Sequence, residues 1–317
     1  MAITAARSTS DFSGFLTPER AGPIFERAAQ RSVVQRLVRQ VPLGGNGVEV
    51  PVVTGRPSVG WVSEASQKPA TQGTMALKTM APKKLAAIMV NSAEVVRANP
   101  GNYINLMQDQ LAEAFAKAFD LAALHDEGPD GTQSGGPFST FIDQTTKIQE
   151  VGETTQADGG IHGDLVEAMR TVVTDSDSSG RRYRVNGWAL DSILEPDLWG
   201  AVDSTGRPIS VNLPADEASS ATEGAGRLMN RQSFMGEGVA SDDGYSVLGY
   251  GGDWSRAVWG VVGGISYDVS TDATVTIDSS LVSLWENNLV AIRAEAEYGF
   301  LVDDPQAFVK LTNLSVS

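Results

Sequence analysis

Residues Tyr103–Leu124 read YINLMQDQLAEAFAKAFDLAAL, and the interpretation of this stretch decides the fold. Its apolar positions Ile104, Met107, Leu111, Phe115, Ala118 and Ala122 advance three or four residues at a time, the spacing that gathers side chains on one stripe of an α-helix. Asp109, Glu113, Lys117 and Asp120 advance in the same way down the opposite side. Glu113 precedes Lys117 by four residues, the favourable order for a helical ion pair. At the standard rise such a helix is about 33 Å long. Asn99-Pro100 and Gly101-Asn102 offer capping residues before it, and Gly128-Pro129 stops it. No other segment carries so long a helical signal, so it reads as a spine against which strands from both ends of the chain pack.

The C-terminal segment supplies one set of strands. In Leu289–Val302, Val290, Ile292, Ala294, Ala296, Tyr298, Phe300 and Val302 fall on one side, with Arg293, Glu295 and Glu297 on the other. Asp303-Asp304-Pro305 turns the chain and AFVKL (307–311) returns, which predicts a hairpin covering the spine's apolar stripe. Toward the N-terminus, Val48–Val90 reads as a two-stranded excursion. VEVPVV alternates outward, SEASQKPATQGT (63–74) is a polar tip, and MALKTMAPKKLAAIMV comes back. Two strands and a tip are marginal in water by themselves, so Trp61 needs a surface to pack on. Residues 1–16 are small and polar, and a helix-like run carrying Arg20, Arg27, Arg31, Arg36 and Arg39 extends from Thr17 to Gln40.

Between spine and C-terminal strands a second body is expected. Asp164–Val173 reads as a short helix, Tyr183–Leu190 as a strand, and Asp191–Val202 as a helix capped by Asp191. Ala215–Gly226 is acidic and aperiodic, and Tyr245–Thr276 reads as strands separated by glycine-rich turns.

Composition narrows the functional classes. The chain has 317 residues, 41% of them hydrophobic, and no cysteine. That removes disulfide scaffolds, thiolate chemistry and cysteine-ligated metals. No apolar run is long enough for a membrane helix, and the first residues lack the apolar core of a signal peptide. Net charge is −15, unevenly divided: residues 1–90 hold 11 Lys+Arg against 5 Asp+Glu, and the remainder 13 against 34. So acidic a body repels a phosphate backbone. A basic front end on an acidic body suggests that the front end lies on other copies; the alternative is that the charges only keep a monomer soluble.

The chemical inventory is thin. There is neither a phosphate-binding G-x-x-x-x-G-K-[ST] loop nor an H-E-x-x-H helix. His125 falls in the last turn of the spine, where an imidazole suits the negative helix end, and His162 falls at a helix entry. Gly249-Tyr250-Gly251-Gly252 has Trp254 where a dinucleotide fingerprint needs its third glycine, so it reads as a turn. Asp175-Ser176-Asp177-Ser178-Ser179-Gly180 imitates the start of a calcium loop, but Asn186 occupies the twelfth position. A polar helix-to-strand turn is the better reading.

Taken together, the order of a basic arm, VPVVTG…WVSE…MAPKKLAAIMVNSAEVV, a long helix ending FDLAALHDEG, and AIRAEAEYGFLVDDPQAFVKL resembles the major capsid proteins of tailed bacteriophages, which share the Hong Kong ninety-seven-type shell fold. The resemblance spans nearly the whole chain. It is most specific in Val50–Glu64, Met80–Val96 and Arg293–Leu311. It implies an α+β shell fold with an N-terminal arm (1–45) and an extended β-hairpin loop (46–90). A peripheral domain (91–157 and 285–317) would hold the spine helix, about 103–126, and an axial domain (158–284) would be inserted in it.

The implied function is structural, without enzymatic activity or cofactor. Copies would close as hexamers and pentamers into an icosahedral head enclosing double-stranded DNA. The implied partners are sister copies, a portal, a scaffolding protein or maturation protease, and possible decoration proteins; no membrane is involved. The product belongs in the virion, after assembly in the host cytoplasm. Residues expected at inter-subunit contacts are Arg31, Arg36, Trp61, Glu64, Lys68, Lys78, Lys83 and Lys84.

Two family features fit this chain less well. Residues 1–45 are too short for a cleavable scaffold domain, and the spacing of Lys68, Lys78 and Asn313 gives no support to a lysine–asparagine crosslink. The alternatives are an encapsulin-like nanocompartment shell and, from another class, a metal-dependent hydrolase built on Asp175 and Asp177.

Overall fold

The computed structural model describes residues 32–313 apart from 65, 69, 99–102, 130–134, 156–158, 178, 201–224, 241–245 and 278–279. Most of the basic arm, Arg31 included, lies outside the described residues. Its root is a short helix, α1 (Val33–Leu37), followed by β1 (Arg39–Gln40). The helical run expected to reach Gln40 therefore stops at Leu37. The reason is tertiary: Arg39 and Gln40 pair in parallel with Val258 and Trp259, and Trp259 Nε1–H donates to the Val38 carbonyl at 3.1 Å.

The extended loop is the antiparallel ribbon β2 (Val48–Gly55) and β3 (Thr74–Met80). Its return differs from expectation. MALKTMAPKKLAAIMV is not one strand but two, broken at Ala81-Pro82, because Pro82 cannot donate to a ladder and the halves have different partners. The second half, β4 (Lys83–Ser92), leaves the loop and pairs with β13 (Leu289–Val302). Helix α2 (Ala93–Ala98) follows.

The spine forms as the spacing demands, α3 (Tyr103–His125). Its burial, however, is not confined to a stripe. From Leu111 to Leu124 only Glu113, Ala114 and Lys117 escape burial. Phe119 is the hub, its ring 5.2–6.1 Å from those of Tyr298, Phe138, Trp259 and Phe300. Helix α4 (Ile161–Val173) and helix α5 (Glu195–Gly200) follow, the latter after a 3-10 turn whose Asp191 cap accepts from the Ile193 N–H at 2.9 Å.

Two main sheets flank the spine. The four-stranded sheet runs β1-β10-β13-β4, with β10 at Ala257–Ser270. The β10–β13 register shifts between Val262 and Ser266, where Gly263 and Gly264 take φ of 71° and 100°. That is a bulge only glycine accommodates without strain. The six-stranded sheet runs β5-β14-β9-β6-β8-β7. Its strands are β5 (Ile148–Val151), β6 (Gly187–Leu190), β7 (Ala225–Leu228), β8 (Arg231–Met235), β9 (Val247–Gly252) and β14 (Phe308–Asn313). A small hairpin, β11 (Thr274–Ile277) and β12 (Ser280–Ser283), stands apart.

This pairing corrects three expectations. The C-terminal strands are not a hairpin: β13 pairs with β10 and β4, whereas β14 crosses to the other sheet between β9 and β5. β10 pairs with β13, and one continuous core contains residues of both sheets, α3 and α4. Gly249–Gly252 is a central strand rather than a turn. A Cβ at Gly249 would sit 2.6 Å from the Ala189 carbonyl oxygen, and one at Gly252 2.5 Å from the Phe308 ring. Glycine is therefore needed for close strand and ring packing. The strand expected over Tyr183–Leu190 is limited to Gly187–Leu190.

Candidate assembly surface

The root of the loop is fixed to the body in two ways. A small apolar cluster joins Leu43, Met80, Val258 and Leu301, with Val48 and Val50 against it. Beside it, Lys78 on β3 reaches the turn after β13, donating to the Asp303 carbonyl and lying 3.5 Å from its carboxylate. Beyond Gly55 the described residues of the loop have no such support. Val59 and Trp61 are fully exposed, Trp61 at 106%, and Met75 and Leu77 show 65% and 63%. Among the described residues the tip is held by local polar bonds, such as Ser58 N–H to Thr71 Oγ1 at 2.7 Å and the Ser63–Ser66 hydroxyl pair at 2.6 Å. A tryptophan left wholly in water on a projecting ribbon is a large apolar surface without cover among the described residues.

The other sequence-predicted contact residues divide into two groups. Glu64 and Lys68 are exposed on the tip with Trp61, and Lys83 is exposed at the start of β4. Arg36 lies over the Phe234 ring of its own chain at 4.0 Å, and Lys84 pairs with Glu295 at 3.3 Å and Glu297 at 3.9 Å. Lys78, Arg36 and Lys84 thus have partners within the chain. Sequence reasoning missed a second apolar protrusion, Leu281 and Trp285 at the β11–β12 hairpin, exposed at 78% and 73%. An alternating SLVS with a following tryptophan was its only signal.

The chemically suggestive groups are structural. His125 is buried, its Nε2 2.7 Å from the Val239 carbonyl and its Nδ1 3.0 Å from the Tyr250 hydroxyl. Burial lowers its pKa, so it does not serve as the helix-end cation expected from its position. Tyr250 donates to Asp143, which pairs with Lys310 at 2.6 Å. In the calcium-like loop, Asp177 accepts from Ser179 and the Arg181 N–H and pairs with Arg256, while Asp175 pairs with Lys147 at 2.9 Å. Burial opposes ionisation of Asp177, but those donors outweigh it and hold its carboxyl down at about 2. Both carboxylates pair with cations of the protein, the chemistry of a polar turn.

A projecting, apolar-tipped ribbon on a two-sheet body with a buried spine is matched by known proteins. The model of the phage capsid family covers residues 13–313. The chain belongs to the phage capsid family.

Among its relatives, the probable major capsid protein gp17 of Mycobacterium phage D29 is 41% identical over 307 residues, spanning 96% of this chain and 91% of the relative. The corresponding protein of Mycobacterium phage L5 is 40% identical, spanning 99% and 94%. A solved chain from Mycobacterium phage Ogopogo superposes with a TM-score of 0.69 at 23% identity, covering 98% of this chain and all of that one. As a member of the phage capsid family the chain is a structural subunit, one of many copies in a multimeric shell of the virion, and not an enzyme. The fold is the α+β capsid shell fold that the sequence resemblance implied.

Proposed function

We propose that this chain is the major capsid protein of a tailed phage, assembling as hexamers and pentamers into an icosahedral head around double-stranded DNA. The carrying observation is the loop: its tip exposes Val59 and Trp61 completely, with no apolar cover from the described residues of its own chain. Burying a tryptophan of this kind against a neighbour removes some 150–250 Å² from water. A closed symmetric array repeats that gain at every subunit. Trp61, Glu64, Lys68 and Lys83 are the contact candidates that are exposed and have no ion pair among the described residues. Arg31 and Arg36 belong to the basic arm that would lie along the adjacent acidic body, and Lys78 and Lys84 hold the loop root and β4 in place.

The proposal includes a portal, a scaffolding protein or maturation protease, and possible decoration proteins as partners, with assembly in the host cytoplasm before the particle is filled. The acidic body suits a container whose wall must not grip the packaged polyanion. Electron microscopy of the purified protein tests the reading. Hollow closed polyhedra are expected; a compact, monodisperse monomer under all assembly conditions would refute it.

A further inference from the structure

Beneath the root of the loop a cleft of about 310 Å³ lies between β2 and the body, lined by Arg39, Arg56, Arg181 and Arg256 with Asp177 and Asp303. Arg256 spans both acids, pairing with Asp177 and, at 3.1 Å, with Asp303. Lys78 adds a second cation to Asp303 at 3.5 Å. The two carboxylates inside the cleft are thus already neutralised. Arg39, Arg56 and Arg181 are exposed at its edge, and none has an acidic partner among the described residues. Three guanidiniums from three separate segments share one concavity with no ion-pair partner of their own among the described residues, although the chain from residue 91 onward holds 34 acidic residues against 13 basic ones.

We propose that this cleft is an acceptor site for carboxylates of a second copy of the chain, so that the underside of the loop, and not only its apolar tip, is an inter-subunit contact. The inference rests on the shell reading above and adds the chemistry of one contact. A guanidinium fork matches a carboxylate in two parallel hydrogen bonds, and such pairs fix register as well as adding energy. Nucleic-acid phosphate is the weaker candidate: the acidic body repels a polyanion approaching as a long chain, whereas a neighbour's Asp or Glu is delivered by the array itself. Asp177 and Asp303 are paired with Arg256 and Lys78, which leaves the three outer arginines to the incoming acid.

The test uses the full-length protein. Wild type and an Arg39→Glu/Arg181→Glu variant are compared by sedimentation and electron microscopy, with thermal melting of the unassembled subunit as the folding control. Because both arginines are exposed and unpaired, melting should be unchanged while shell yield falls about tenfold or more. In a second arm, Arg181→Lys chains, half of them isotopically heavy, are assembled together and treated with a zero-length carbodiimide that couples lysine to carboxylate. Mass spectrometry should find position 181 joined to an acid of a chain of the other isotope. Coupling confined to single chains, or normal shells from the charge-reversed protein, overturns the inference while leaving the shell reading intact. A third arm adds labelled duplex DNA: if charge reversal abolishes DNA binding and shells still form, phosphate is the ligand and the proposal is wrong. Failure of the wild type to form any closed particle strikes the shell reading itself.

Discussion

Asp120 offers the sharpest quantitative test of how the arm is fastened to the spine. It is only 2% exposed, yet its carboxylate accepts from the Ser32 hydroxyl at 2.6 Å, the Val33 N–H at 2.8 Å and the Val34 N–H at 3.1 Å. Ser32 in turn accepts from the Gln35 N–H at 3.1 Å. The first turn of α1 is therefore capped twice, once from within and once from a helix more than eighty residues away. Burial is the dominant influence on this carboxyl and raises its pKa from 3.8 to about 7, against the lowering effect of the three donors. The folded chain therefore binds this proton more tightly than the unfolded chain does. The associated stability is fully present below the unfolded value, erodes as pH rises, and is gone above the folded value. A difference between 3.8 and about 7 corresponds to about 4 kcal/mol. An Asp120→Asn variant removes the titration. Unfolding free energies of both proteins, measured by chemical denaturation from about pH 4 to about pH 8, should diverge by about that amount. Wild type should lose stability relative to the variant between pH 4 and 7, and the difference should be flat above. A difference that stays constant across the range would refute the reasoning and show that the three donors keep Asp120 ionised throughout.

Four further outcomes are expected. Trp61→Ala should leave the melting of the unassembled subunit within about 0.5 kcal/mol of wild type, because the side chain is fully exposed, while light-scattering assays show assembly sharply reduced. Phe119→Ala, which removes the ring at the centre of four aromatic contacts, should cost about 3–5 kcal/mol in denaturant unfolding. Gly252→Ala should destabilise by about 1–3 kcal/mol, since the added methyl meets Phe308 on the paired strand; a neutral effect on melting would contradict the packing described. Arg256→Gln should cost about 3 kcal/mol at neutral pH by leaving Asp177 and Asp303 without their shared cation. That cost should shrink as acid protonates the orphaned Asp177, whose carboxyl Arg256 helps hold down at about 2, and a pH series of melts would show it.

The long elements were legible from their spacing. The period of Tyr103–Leu124 gave α3 to within a residue, and the alternation of Leu289–Val302 gave β13 in full. The loop was visible as two apolar runs around a polar tip, and Trp61 as an aromatic lacking cover. Partners were not legible. Nothing in AFVKL says that β14 abandons β13 for β9, because a strand's pattern records which faces are buried and not which neighbour buries them. Asp120 keeps step with Glu113 and Lys117, the pattern of a surface charge, but a helix enclosed on nearly all sides has no polar face to assign it to. Arg39, Arg56 and Arg181 lie far apart in the chain, and no local pattern could gather them.

The sequence by itself determined the spine, the strands, the polar-tipped excursion and the unequal sharing of charge between front end and body. These depend on periodicity and composition, which act over a few residues at a time. Only the tertiary structure decided that β4 leaves the loop, that both sheets share one core, that a buried aspartate clasps the arm, and that three arginines face one cleft. Those facts depend on which distant segments meet, and contacts between distant segments are set by the packing of the whole chain.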